Sequence, residues 1–136
     1  MLQGVAAQGY RALEASHDVS GRRAIDRVRD RALAYVDFAR DNPELFRLMF
    51  MYRPKAVEIG VDNELVAATS VFDAAIEDVR RAITDGDLVE RDVNQLGLTL
   101  WAAMHGAATI ATIAPPVAEA VATDVVDALL AGLRPT

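Results

Sequence analysis

The sequence predicts an all-α chain folded as one helical bundle domain. Apolar residues recur with a helical period along nearly the whole length, and no alternating run of β-branched residues argues for a sheet. Asn-Pro, Asp-Gly and Pro-Pro punctuation falls where those periodic stretches stop. With 136 residues and 52% hydrophobic content, one domain with a real core is expected, and the chain is too short for two.

Residues 2 to 16 form the first expected helix, which runs out into the loop "SHDVSG". The second runs from about Arg22 to Asp41. Ile25, Val28, Ala32, Tyr35, Val36 and Ala39 share one side of it, and Asp26, Arg29, Asp30, Asp37 and Arg40 the other. Asn42 before Pro43 reads as a cap with proline at the first helical position, opening the short helix "PELFRLMF". The loop "KAVEIGVD" leads to Asn63 as the next cap. A long helix then spans Glu64 to about Thr84, with Leu65, Ala68, Phe72, Ala75, Ile76, Val79 and Ile83 inward and Gly86 closing its end. Asp92 and Gln95 have capping-box spacing and open a helix that must stop before Pro115 and Pro116. In the last helix, from about Val117 to Leu133, residues Val117, Val121, Val125, Leu129 and Leu133 lie four apart, with Ala118, Ala122, Val126 and Leu130 beside them.

Charge and composition exclude several functions. The net charge of −6 repels phosphate backbones, so the chain is a poor unaided ligand for nucleic acid. The stretch "GRRAIDRVRDR" interleaves Asp26 and Asp30 with its arginines and reads as a solvated helix face with local ion pairs. The absence of cysteine excludes disulfides and thiolate chemistry, and the N-terminus lacks a secretory signal pattern, so a cytoplasmic location is expected. There is no GxSxG elbow, no phosphate-cradling glycine loop and no HExxH, and no acid or base flanks His105 on its helix; no enzyme, metal site or cofactor is expected.

Residues 93 to 118 contain no Asp, Glu, Lys or Arg. A membrane span needs roughly 20 apolar residues. This stretch is mostly Ala, Gly and Thr, holds a histidine and lacks a cationic flank, which favours a helix buried in an assembly and no membrane. Its small residues Ala103, Gly106, Ala107 and Ala111 admit a close neighbour. A few helices can scarcely enclose both this helix and the wide apolar face of the last one. A second copy of the chain would do so, pairing the last two helices of each subunit as a four-helix bundle.

"YVDFARDNPELFRLMF", "AITDGDLVERDV" and "LWAAMHGAATI", in this order, resemble successive landmarks of the C-terminal domain of tetracycline-repressor (TetR) type transcriptional regulators, in the branch marked by a Trp, His, Gly arrangement, here Trp101, His105 and Gly106. The resemblance covers about Leu2 to Leu133. It implies a C-terminal domain that dimerises and binds a small effector, with operator DNA reached only through a helix-turn-helix domain. "MLQGVAAQGYRAL" is similar to the helix that follows the DNA-recognition helix, so that domain is expected to be absent from this chain.

Tyr35, Phe38, Phe46, Met49, Phe50, Met51, Tyr52 and Phe72 concentrate the aromatic and methionine content in the middle of the chain. Adaptable apolar side chains of this kind suit an apolar pocket, and equally suit plain core packing. The expected ligand-binding set is Tyr35, Phe38, Phe46, Met49, Phe50, Phe72, Ile76, Trp101, Met104 and His105. The expected dimer interface is Ala103, Gly106, Ala107, Ile110, Val121, Val125 and Leu129. His105 is open to two readings, a polar anchor for a ligand or a buried imidazole bonded within the protein. Two functions follow. One is the effector-binding and dimerisation domain of a repressor that senses a small apolar or aromatic molecule; the other is a free-standing helical binding or dimerisation module with no DNA-binding role.

Overall fold

The structure, a computed structural model, describes residues 23–51 and 63–136 together with Gln8, Gly9, Arg11 and Ala12; the side chains of Met51 and of residues 63–71 lie outside that description. The described residues form five α-helices and no strand: α1 (Ala24–Asp41), α2 (Pro43–Met51), α3 (Asn63–Thr84), α4 (Val93–Ile113) and α5 (Ala118–Gly132), with a 3-10 turn, Pro115–Val117, before α5. Gln8, Gly9, Arg11 and Ala12 are helical, within the first expected helix. The loops "SHDVSG" and "KAVEIGVD", Leu65, Ala68 and Tyr52 lie outside the described residues or side chains.

Helix α1 is the hub, packing against α2, α3, α4 and α5. Its buried residues are Ala24, Val28, Tyr35, Val36, Phe38 and Ala39, while Ile25 and Ala32 border the core. Small residues fill the closest helix contacts: Ala39, Ala82, Ala108, Ala111 and Ala118 are wholly buried. Such short side chains let backbones approach and leave little room for voids. In α5 the row Ala118, Ala122, Val126 and Leu130 is buried, and Val121, Val125 and Leu129 form its half-buried flank.

Most helix ends follow from local chemistry. Gly86, at φ 83°, takes the left-handed position after α3. Asp87 N–H donates to the Ala82 carbonyl (2.9 Å) and Gly86 N–H to Ile83 (3.0 Å), so the last carbonyls of α3 are satisfied. The Asp92 carboxylate accepts from the N–H groups of Asn94 (2.9 Å) and Gln95 (3.1 Å) and caps α4. Pro43 starts α2 as expected, but the Asn42 side chain works backward: its Nδ2 donates to the Phe38 carbonyl at 3.1 Å, closing α1. The Phe38 carbonyl already accepts the Asn42 backbone N–H at 2.8 Å, and its second lone pair takes the side-chain amide, which a carboxylate could not replace.

Arg40 pairs locally with Asp37 and Asp41, as expected of a solvated face, whereas Arg27, Arg29 and Arg31 form tertiary ion pairs in correction of the local pairing expected of them. Arg27 Nε and Arg31 Nε, one turn apart, each donate at 2.7 Å to one carboxylate oxygen of Asp78 on α3, a residue only 7% exposed. Arg29 reaches Asp127 on α5 at 2.8 Å, and its hydrogen bond holds the Asp127 carboxyl below its ordinary range. Arg23 reaches Asp87, after α3, at 2.5 Å. Helix α1 is thus tied by charge to both sides of the bundle.

A close approach joins α3 to α4. A Cβ on Gly97 would collide with Ile76 Cδ1 and stand 3.9 Å from Phe72 Cζ, so Ile76 occupies the space that glycine leaves. Gly97→Ala forces the end of Ile76 to move, and Ile76→Val deletes the atom that collides. A double-mutant cycle of the two is expected to show a favourable coupling of about 1 kcal/mol, read from urea unfolding; additive losses would mean that Ile76 swings aside freely.

Candidate functional site

Five of the expected ligand-binding residues come together around His105. Tyr35 arrives from α1, Phe46 and Phe50 from α2, and Trp101 and His105 from successive turns of α4. The centroid of the imidazole lies 4.6 Å from Phe50, 5.0 Å from Trp101, 5.4 Å from Phe46 and 6.2 Å from Tyr35. Phe46 and Phe50 are 4.8 Å apart, and Phe50 and Trp101 6.1 Å. These separations fall in the range of favourable tilted and edge-to-face ring contacts.

A polar link runs through the cluster. Tyr35 Oη and His105 Nδ1 are 2.8 Å apart. The tyrosine hydroxyl donates when Nδ1 carries no proton, and accepts when it does. The link unites the two sequence readings of His105, since the imidazole is bonded within the protein and also sits among rings able to stack on a flat ligand. Chemically, the arrangement suits binding through stacking and one hydrogen-bonding pair.

The remaining expected ligand residues are placed elsewhere. Phe38 and Met104 are buried in the core of the bundle. Phe72 and Ile76 meet α4 at Gly97, one turn before Trp101. Met49 is buried on α2, where its Cγ would stand 2.5 Å from a Cβ on Gly9, so it lies against the N-terminal helical residues. Among the described residues no group of three or more His, Asp or Glu side chains is arranged to hold a metal ion.

Helix α4 has two unlike halves. Leu96, Leu100, Met104, Ala107, Ala108 and Ala111 face the chain's own core. The other half is open and uncharged: Leu98 (53% exposed), Trp101 (37%), Ile110 (41%) and Ile113 (72%), with Ala102, Gly106 and Thr109 exposed between them. Of the expected interface residues, Gly106 and Ile110 lie on this open half and Ala103 at its border. Ala107 is a correction: the helical period sets it with Leu100, Met104 and Ala111, and its own chain covers it. Leu98, Ala102 and Ile113, outside the expected set, also lie on this open half, and their helical spacing with Gly106 was the available signal. By length and composition α4 also passes as a candidate membrane span, a test that core helices of soluble proteins pass too.

The family described as "Tetracyclin repressor-like, C-terminal domain" matches residues 28–133. The chain belongs to this family. Two solved structures are similar to this TetR-type domain. A protein with unknown function from Rhodococcus sp. RHA1 has a TM-score of 0.80 and 28% identity, over 98% of this chain and 72% of that one. A bacterial regulatory protein in the tetR family from Rhodococcus RHA1 has a TM-score of 0.65 and 18% identity, over 99% of this chain and 73% of that one, a likeness of fold. No curated protein matches. The TetR-type C-terminal domain is a regulator domain, of a kind that generally carries no enzymatic activity.

Proposed function

We propose that this TetR-type domain is the effector-binding and dimerisation part of a cytoplasmic transcriptional repressor that senses a small apolar or aromatic molecule. The observation that carries this reading is the ring cluster of Tyr35, Phe46, Phe50, Trp101 and His105, with the Tyr35–His105 hydrogen bond, beside an open and uncharged helix half. The rings supply apolar stacking area and the pair supplies an orienting group, the usual division of labour in a small-molecule site. An effector that binds one spacing of two DNA-reading heads more tightly than the other shifts operator occupancy by that difference in affinity. In this reading the heads belong to helix-turn-helix domains outside the present chain, and two copies of the domain hold them together through α4 and α5.

Gly106 gives the test its edge. It is exposed in mid-helix, and a Cβ there meets nothing within 4 Å. Glycine costs a helix about 1 kcal/mol relative to alanine, and nothing among the described residues requires it, so its use fits the close approach of a second copy. Gly106→Leu leaves the subunit's own packing intact and blocks such an approach. Sedimentation equilibrium in detergent-free buffer is expected to give a wild-type dimer and a monomeric variant. A wild-type monomer, or a variant that still dimerises, would remove α4 from the interface.

A further inference from the structure

One apolar lobe stands apart from the continuous core. Ile76 is only 6% exposed, yet among the described residues neither it nor Phe72 or Trp101 joins the buried cluster that links α1, α4 and α5. Ile76 and Phe72 gather instead where α3 meets α4. These two helices pack together across the short turn 85–92 and therefore run antiparallel. The Cδ1 of Ile76 fills the space that a Cβ on Gly97 would take, its Cγ1 lies 3.5 Å from that point and Phe72 Cζ 3.9 Å from it. Gly97 and Trp101, four residues apart, share a side of α4 and are separated by about 6 Å along its axis. Trp101 in turn lies 6.1 Å from Phe50 and 5.0 Å from His105. Apolar side chains thus succeed one another along α4 from the ring cluster to the tip of Ile76.

We propose that Ile76 is a specificity-determining residue, which ends the effector site and limits the length of the aromatic molecule it admits. A flat ligand stacked on Trp101 and extending toward Gly97 has about 6 Å before it meets Cδ1 of Ile76. Because residue 97 carries no side chain, that limit is set from α3, by one methyl group. The inference rests on the effector reading above and deepens it; it is independent of how two copies meet.

The methyl group can be deleted, or moved from one helix to the other. Ile76→Val removes Cδ1, and Gly97→Ala added to it supplies a methyl at nearly the same place from α4. Each chain is loaded with the fluorophore N-phenyl-1-naphthylamine, which is displaced by naphthalene or by 2-ethylnaphthalene to give a ratio of two affinities. Ile76→Val is expected to shift that ratio about tenfold toward the ethyl compound, the scale on which an apolar pocket senses a methylene. The double variant is expected to return it to the wild-type value. Val126→Ala empties a wholly buried position on α5, a helix that contributes no ring, and is expected to lower stability with the ratio unchanged. An unmoved ratio in Ile76→Val, a double variant that keeps the shift, or the same shift in Val126→Ala would overturn the length limit and leave the effector reading standing. Failure of the wild type and both Ile76 variants to bind any of the three aromatics would overturn both.

Discussion

Asp78→Ala is expected to destabilise the chain by about 3 kcal/mol, the scale of breaking a buried ion pair from one side, and to lower the melting midpoint by roughly 10 °C. The carboxylate is 7% exposed and accepts from both Arg27 and Arg31, so its removal takes one buried charge-assisted hydrogen bond from each of two guanidinium groups at the α1–α3 contact. Their side chains are 24% and 18% exposed, and the water that reaches them keeps the loss toward the lower end for such pairs. Asp78→Asn retains the shape and one acceptor oxygen, and a smaller loss is expected. Urea unfolding of both variants checks this. A loss under about 1 kcal/mol for the alanine variant would place the triad with ordinary surface pairs.

Phe46→Ala is expected to cost about 3 to 4 kcal/mol, the usual range for emptying a buried aromatic site. The ring is 4% exposed and contacts Tyr35 at 5.7 Å, Phe50 at 4.8 Å and His105 at 5.4 Å, so deletion opens a hole lined mostly by aromatic carbon. Apolar holes of that kind stay dry and accept small aromatic molecules. Benzene is therefore expected to raise the melting midpoint of the variant more than that of wild type. A near-neutral substitution would mean that the cluster is loosely packed around His105. A large loss without rescue by benzene would mean that the neighbouring helices collapse into the space.

Much of the fold was legible because the informative residues act locally. The spacing of Val28, Tyr35, Val36 and Ala39 set the inward face of α1, Gly86 and Asp92 marked the ends that bracket the α3–α4 turn, and both work through bonds within a few residues. Asn42 stands before Pro43 as read, its carbonyl accepting from Phe46 N–H, but the direction of its side chain was not legible, since the same amide can serve either neighbouring helix. The Arg27–Asp78–Arg31 triad was illegible for a different reason: the aspartate is 51 and 47 residues away from its partners, and the nearby Asp26 and Asp30 supply an adequate local alternative. The ring cluster was legible as a set of residue types. Its membership was not, because Phe38 and Phe46 look alike in sequence and only the angle between α1 and α2 separates them. On α4 the periodic signal was present but faint, for Ala and Gly occur on both halves, and neighbouring Gly106 and Ala107 fall on the open and the covered half with no contrast in polarity to mark the boundary.

The missing charge on the open half of α4 also bears on which chains can pair. Interfaces that must choose among similar partners commonly carry charges whose mismatch penalises the wrong match. With none here, a dimer formed through this surface has no electrostatic veto against a sister regulator bearing a comparable alanine-rich helix. Fidelity of pairing in a cell that makes several such proteins would then fall to shape, with the notch at Gly106 and the projecting Ile110 and Ile113 beside it as lock and key.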